Sequence, residues 1–183
     1  MELQEFTLKN GKKITIRQAE LNDAEALLKF SEEIFEDDEF FLTTRQEIAE
    51  DLTVEKQKER IEKYLNKSGK IILIAEVDGV VAGASDVDNG GKKRRQHVGR
   101  VGLSVLKEYR GIGCGTALLQ SIIKWAKEDK VIEKLSLEVF ASNANAIGLY
   151  KKLGFREQGR APRELKINED EYVDMILMYK FVK

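Results

Sequence analysis

Residues 101–126 read V-G-L-S-V-L-K-E-Y-R-G-I-G-C-G-T-A-L-L-Q-S-I-I-K-W-A, and no other stretch restricts the fold as much. An apolar run leads into a charged turn. Glycines then stand at every second position, Gly111, Gly113 and Gly115, and a helical pattern follows. Leu118, Leu119, Ile122, Ile123 and Ala126 share one face of that helix. The order is strand, glycine-rich loop, helix. Glycine lets backbone N–H groups approach a ligand with no Cβ in the way. The helix N-terminus adds unpaired donors and a partial positive charge. Together these make a site for an anion, above all a phosphate. The plainer alternative is a turn that only reverses the chain.

Three phosphate loops compete. A nucleotide P-loop needs G-x-x-x-x-G-K-[ST], and no lysine stands in the required place after Gly111. A dinucleotide loop needs G-x-G-x-x-G set tight against its strand. Here the third glycine comes one residue early, and residues 106–110 separate strand from loop. The third pattern is Arg110-x-x-Gly113-x-Gly115. It resembles the R/Q-x-x-G-x-G/A loop of the GNAT acyltransferases, the Gcn5-related N-acetyltransferase superfamily, which holds the pyrophosphate of coenzyme A.

The flanking chain fits an α/β reading. Residues 12–18 alternate around Ile14 and Ile16 after a turn at Asn10-Gly11, which predicts a strand. Leu21, Ala24, Leu27, Leu28, Ile34 and Phe35 fall at helical spacing, with Asn22 and Glu25 as the expected cap. Thr44 and Glu47 form a capping-box pattern for a second helical region, in which Val54, Gln57, Ile61, Tyr64 and Leu65 keep the period. Two strands, 71–77 and 80–87, flank Asp78-Gly79, a strong hairpin signal. A basic run at 92–95 precedes a strand over 97–105. After the loop and its helix come a strand at 135–140, a helix at 143–153 stopped by Gly154, and two closing strands at 155–159 and 172–181. The charged segment 163–171 reads as the loop between those two. The 135–140 strand follows a helix, so it is expected to lie parallel to the 97–105 strand.

Residues 137–155, L-E-V-F-A-S-N-A-N-A-I-G-L-Y-K-K-L-G-F, carry a second resemblance to the same superfamily. Its signature is a strand followed by N-x-x-A-I-x-L-Y-x-x-x-G-F, matched here by Asn143, Ala146, Ile147, Leu149, Tyr150, Gly154 and Phe155. Two motifs in the right order, on the expected elements, extend the resemblance over nearly the whole chain. It implies one domain over residues 1–183. The implied architecture is a mixed α/β fold: a central mixed sheet of about seven strands, two of them parallel and splayed, with about four helices.

The resemblance also implies a cofactor, acetyl-CoA, and a reaction, transfer of its acetyl group to a primary amine of a small molecule or peptide. The amine attacks directly, with both substrates bound. The implied cofactor-binding residues are Leu103, Ser104 and Val105 on the strand; Arg110, Gly111, Ile112, Gly113, Cys114, Gly115 and Thr116 in the loop; and Asn143, Ala146 and Tyr150 on the later helix. The N–H of Val105 or its neighbour would polarise the thioester carbonyl. Tyr150 aligns with the family's general acid, which protonates the leaving thiolate, and Glu138 with a general base found in several members. Asp86 and Glu108 are the other candidate bases, and the reaction without a dedicated base is the remaining alternative. Each role competes with a structural one: a packed tyrosine, or a glutamate that bonds the splayed strands. A non-catalytic CoA-binding regulatory module is the rival function.

The remaining signals are bland. Cys114 lies between glycines and far from a base, since the sole histidine, His97, begins the preceding strand; a covalent acyl-enzyme is not expected. Net charge is −1, which gives no reason to expect nucleic-acid or membrane partners. One cysteine, no signal-peptide core and no membrane-length apolar run point to a cytoplasmic protein. No metal-ligand spacing is present. The basic run 92–95 and the acidic run 36–39 read as solvated surface, although the acidic run lies where such enzymes build their acceptor pocket. A homodimer is left open by the resemblance.

Overall fold

The structure is a computed structural model describing residues 3–36 and 52–183. Its described elements run β1 (Gln4–Thr7), β2 (Lys13–Gln18), α1 (Ala24–Glu36), α2 (Val54–Tyr64), β3 (Lys70–Val77), β4 (Val80–Asp88), β5 (Val98–Val105), α3 (Cys114–Glu128), β6 (Lys134–Phe140), α4 (Ala144–Lys152), β7 (Arg156–Lys166) and β8 (Tyr172–Phe181). The strands form one eight-stranded sheet in the order β1-β2-β3-β4-β5-β6-β8-β7. Every adjacent pair is antiparallel except β5 and β6. The expected parallel pair is thus present, reached through the α3 crossover.

Two apolar cores lie on opposite faces. One joins Ile71, Leu73, Val87 and Val101 of the sheet to Leu118, Ile122 and Ala126 of α3, and it reaches Tyr150 of α4. The other joins Ile72, Ile74 and Ala84 to Leu27, Phe30 and Ile34 of α1 and Ile61 of α2. Burial on both faces explains why 71–75 reads as a continuous apolar run rather than an alternating one.

Four local readings need correction. Strand β1 precedes the Asn10-Gly11 turn and was not expected. At four residues it is too short to show an alternation. The first helix is entered through a 3-10 turn (Leu21–Asp23) and is not capped by Asn22. Asp23 accepts the Glu20 N–H at 2.7 Å while Arg17 donates to both its carboxylate oxygens, each at 2.7 Å. A side chain from β2 thereby selects the cap. The inward stripe of α1 is Ala24, Leu27, Phe30 and Ile34, so Phe30 replaces Leu28 in the core. Finally, β7 extends to Lys166, well into the charged segment read as loop. It is one of the two edge strands, where charged side chains keep the unpaired backbone from recruiting another chain. The Thr44–Glu47 cap and the acidic run beyond Glu36 lie outside the described residues.

Candidate active site

Strands β5 and β6 pair only at Val98–Lys134, Gly99–Leu135 and Arg100–Ser136. Both strands continue, β5 along β4 to Val105 and β6 along β8 to Phe140, but not along each other. Each holds to its antiparallel neighbour, and the parallel contact, the weaker kind, yields. The Leu106 N–H bonds the Ala82 carbonyl of β4 at 3.0 Å. By strand alternation, Ser104 and Gly102 also turn their backbone groups to β4, and Leu103 and Val105 turn theirs toward the gap. Those two N–H groups have no strand partner.

The loop lies at the end of β5. Arg110 reaches back to donate from Nε to the Val105 carbonyl at 2.9 Å. Gly111 and Gly113 adopt φ of 73° and 115°, the left-handed region that favours glycine. Gly115 fits a close approach instead: a Cβ there would stand 3.3 Å from Leu149 of α4 and 3.7 Å from both Leu103 and Val105. The first helical bond of α3 runs from the Ala117 N–H to the Gly113 carbonyl. The N–H groups of Cys114, Gly115 and Thr116 therefore have no helical acceptor. Lys9 braces the loop from the β1–β2 turn. Its N–H bonds the Ile112 carbonyl at 2.9 Å, and its Nζ bonds the Gly111 carbonyl at 2.8 Å. No local sequence signal marks this brace, because the two segments are about a hundred residues apart.

The Cys114 side chain turns away from the loop surface into the core, fully buried, and burial pushes its thiol up to about 12. It offers a ligand only its backbone. Asn143 caps α4, accepting the Ala146 N–H at 3.0 Å. Tyr150 is buried on the α3–α4 face beside Phe155, with ring centroids 5.9 Å apart. Its hydroxyl bonds no other described residue, and burial pushes its pKa up to about 12. It therefore stays a proton donor at neutral pH. Glu138 lies on β6 beyond the last parallel pair, exposed, on the face opposite Leu137 and Val139.

Of the other candidate bases, Glu108 is exposed on a 3-10 turn (Lys107–Tyr109). It lines a cavity of about 360 Å³ together with Glu33, Ile34, Leu106, Lys107 and Arg110. Asp86 sits on the α2 face of β4, opposite Gly102, and donates nothing to the α3 core. Burial raises its carboxyl above the ordinary range, although Arg60 stands beside it at 3.1 Å. His97 and the basic run are exposed, and Trp125 packs against the α3 core. No group of His, Cys, Asp and Glu suited to a metal ion occurs among the described residues. No described helix is long and apolar enough to cross a membrane.

A glycine-rich loop beside a parted parallel strand pair matches the architecture the two motifs implied, and comparison with known proteins agrees on the fold. The model of the acetyltransferase (GNAT) family matches residues 27–155. The chain belongs to that family. An N-alpha-acetyltransferase of Sulfurisphaera tokodaii is 33% identical over 175 residues, covering 90% of this chain and 93% of the relative. The L-amino acid N-acetyltransferase AaaT of Escherichia coli is 32% identical over 117 residues, covering 64% and 72%. A solved GNAT-family acetyltransferase from Streptococcus pneumoniae superposes with a TM-score of 0.87 at 30% identity, covering 92% of this chain and 99% of that one. This GNAT chain is an N-acetyltransferase, and acetyl-CoA is its cofactor. The residues present suit that group: unpaired N–H donors at a helix start for phosphates, and an unpaired strand edge for amides.

Proposed function

We propose that this chain transfers the acetyl group of acetyl-CoA directly to a primary α-amine of an amino acid or peptide, with both substrates bound together. The observation that carries the reading is the parting of β5 from β6 after Arg100 and Ser136, next to the loop of unpaired N–H groups. The α-amine is supported by the two relatives, one an N-alpha-acetyltransferase and one an L-amino acid N-acetyltransferase.

In this reading the N–H groups of residues 111–116, with the start of α3 and the charge of Arg110, hold the pyrophosphate. Leu103 and Val105 present the strand edge where the pantetheine amides pair, with Ser104 between them, and Asn143 and Ala146, at the start of α4, complete the cofactor site. The Val105 carbonyl is already taken by Arg110, so its N–H is the group left to stabilise developing negative charge on an acyl oxygen. Acetyl-CoA, when bound, supplies a thioester, an acyl group on a good leaving group. Glu138 takes the proton that the acceptor ammonium must lose, and Tyr150 delivers one to the departing sulfur. The two stand on opposite faces of the sheet. The buried thiol of Cys114 supports direct attack without an acyl-enzyme.

A turnover screen of wild type with acetyl-CoA and a panel of amino acids and free-amine peptides tests the activity. Binding of CoA without turnover of any amine would leave a regulatory CoA-binding module instead. Within an active enzyme, Tyr150→Phe is expected to lower kcat by about 100-fold or more, with acetyl-CoA affinity nearly unchanged. Glu138→Gln is expected to flatten the rise of kcat/KM with pH. Wild-type turnover by Tyr150→Phe, or an unchanged profile in Glu138→Gln, removes the respective role.

A further inference from the structure

The face of the sheet under α2 carries charge where the opposite face is dry. Asp86 of β4 pairs in register with Gly102, in the parted half of β5. A Cβ on Gly102 would stand only 2.8 Å from the Asp86 Oδ1. The carboxylate therefore lies over the β5 backbone, in space that any other residue at 102 would fill. Ser85 fixes the same point by donating to the Gly102 carbonyl at 2.6 Å. The Asp86 side chain keeps 27% of its surface exposed, so a ligand can reach it.

Helix α2 covers this carboxylate. Arg60 donates to Oδ1 at 3.1 Å, and Tyr64 stands against both Asp86 and Asp88. Asp88 is separately matched by Lys70 at 2.8 Å. Going from Tyr64 to Arg60, the helix moves along β4 from Asp88 toward Asp86. One further turn of the same helix, about 5 Å along its axis, carries Gln57. Gln57 shares the inward face with Ile61, is only 7% exposed, and its Oε1 accepts no hydrogen bond. A buried amide oxygen without a donor is costly to the fold. It is a natural place for a ligand's N–H.

We propose that Asp86, over Gly102, and Gln57 form the subsite that receives the ammonium group of the acceptor. The inference rests on the acetyltransferase reading above and assigns the acceptor side of the same gap. A carboxylate can accept about four hydrogen bonds. Arg60 and Tyr64 use part of that capacity, and Arg60, 39% exposed at its side chain, is able to yield to an incoming cation. The Gln57 oxygen then accepts a second N–H of the same group. Two acceptor oxygens favour a cationic primary amine over the acetylated product, which has lost both its charge and its extra N–H. The burial that raises the Asp86 carboxyl is relieved when a cation pairs with it.

The test is binding of Ala-Ala amide and of N-acetyl-Ala-Ala amide to CoA-saturated protein by calorimetry, with melting temperature and acetyl-CoA affinity measured in parallel. Wild type is expected to bind the free amine and not the acetylated peptide. Asp86→Asn and Gln57→Met should each weaken that binding about tenfold while acetyl-CoA affinity holds, and Gln57→Met should raise the melting temperature because it removes an unpaired buried oxygen. The inference is overturned if wild type binds both peptides or neither, if both variants bind like wild type, or if weakened binding comes with lost acetyl-CoA affinity and a lower melting temperature. Failure of the activity reading is a different result: no amine turned over by wild type in the screen.

Discussion

Strand β5 has two halves that the same residue type serves in opposite ways. In the paired half, Gly99 pairs with Leu135 of β6 and faces the α3 core. A Cβ there would stand 2.5 Å from Val87, 3.3 Å from Ile132 and 3.4 Å from Leu135. In the parted half, Gly102 faces α2 and leaves room for a carboxylate. The glycines are three residues apart, so they point to opposite faces of the sheet. One lets apolar side chains close up; the other lets a charge stay partly buried beside an open strand edge. Glycine in a strand is thus a packing device at one position and a site device at the next.

The contrast can be broken from either side. The largest expected effect is on the paired half. Gly99→Ala overpacks a dry core and should cost about 1–3 kcal/mol of stability, read as a fall of several degrees in melting temperature. Its KM for both substrates should stay near wild type. Next comes Gly102→Ala, which displaces the Asp86 carboxylate. Acceptor KM should rise about tenfold, comparable with loss of one charge-assisted hydrogen bond, and melting temperature should change less than in Gly99→Ala. If the two variants exchange these phenotypes, the division of β5 into a structural and a functional half is wrong.

The smallest effect concerns pH. The folded carboxyl of Asp86 is raised above its unfolded value, so the native state holds that proton more tightly. Its contribution to stability is therefore full below the unfolded value and declines as pH rises through the folded one. Asp86→Asn cannot lose a proton. Its melting temperature relative to wild type should be higher at pH 7 than at pH 3.5, as thermal melts at the two values would show. An unchanged difference would mean that the open half of β5 carries no stability cost for its charge.

A second contrast explains how much could be read from the chain. The loop was legible because its information is local. Glycine at 111 and 113 reports backbone conformation, and the stripe from Leu118 to Ala126 reports a helix, each within a few residues. The strand–helix motif around Asn143 and Tyr150 was legible for the same reason. Gln57 left a faint trace: a polar residue at an inward position of α2, where Ile61 and Tyr64 keep the apolar period. Arg60 left none, since a charged residue at a helix surface is ordinary. Lys9, which braces the loop from the first turn, was equally silent.

What the sequence determined by itself was the set of elements apart from the short first strand and the length of β7, the loop that opens α3, and the family. Periodicity, turn residues and spacing are properties of short windows, and each local preference agrees with the final fold. Tertiary structure alone decided where β5 leaves β6, which carboxylate lies over Gly102, and that the Gln57 oxygen has no donor. These depend on register between strands distant in sequence. There a shift by one residue would turn Asp86 from α2 to the α3 core, so only the packed sheet could assign it.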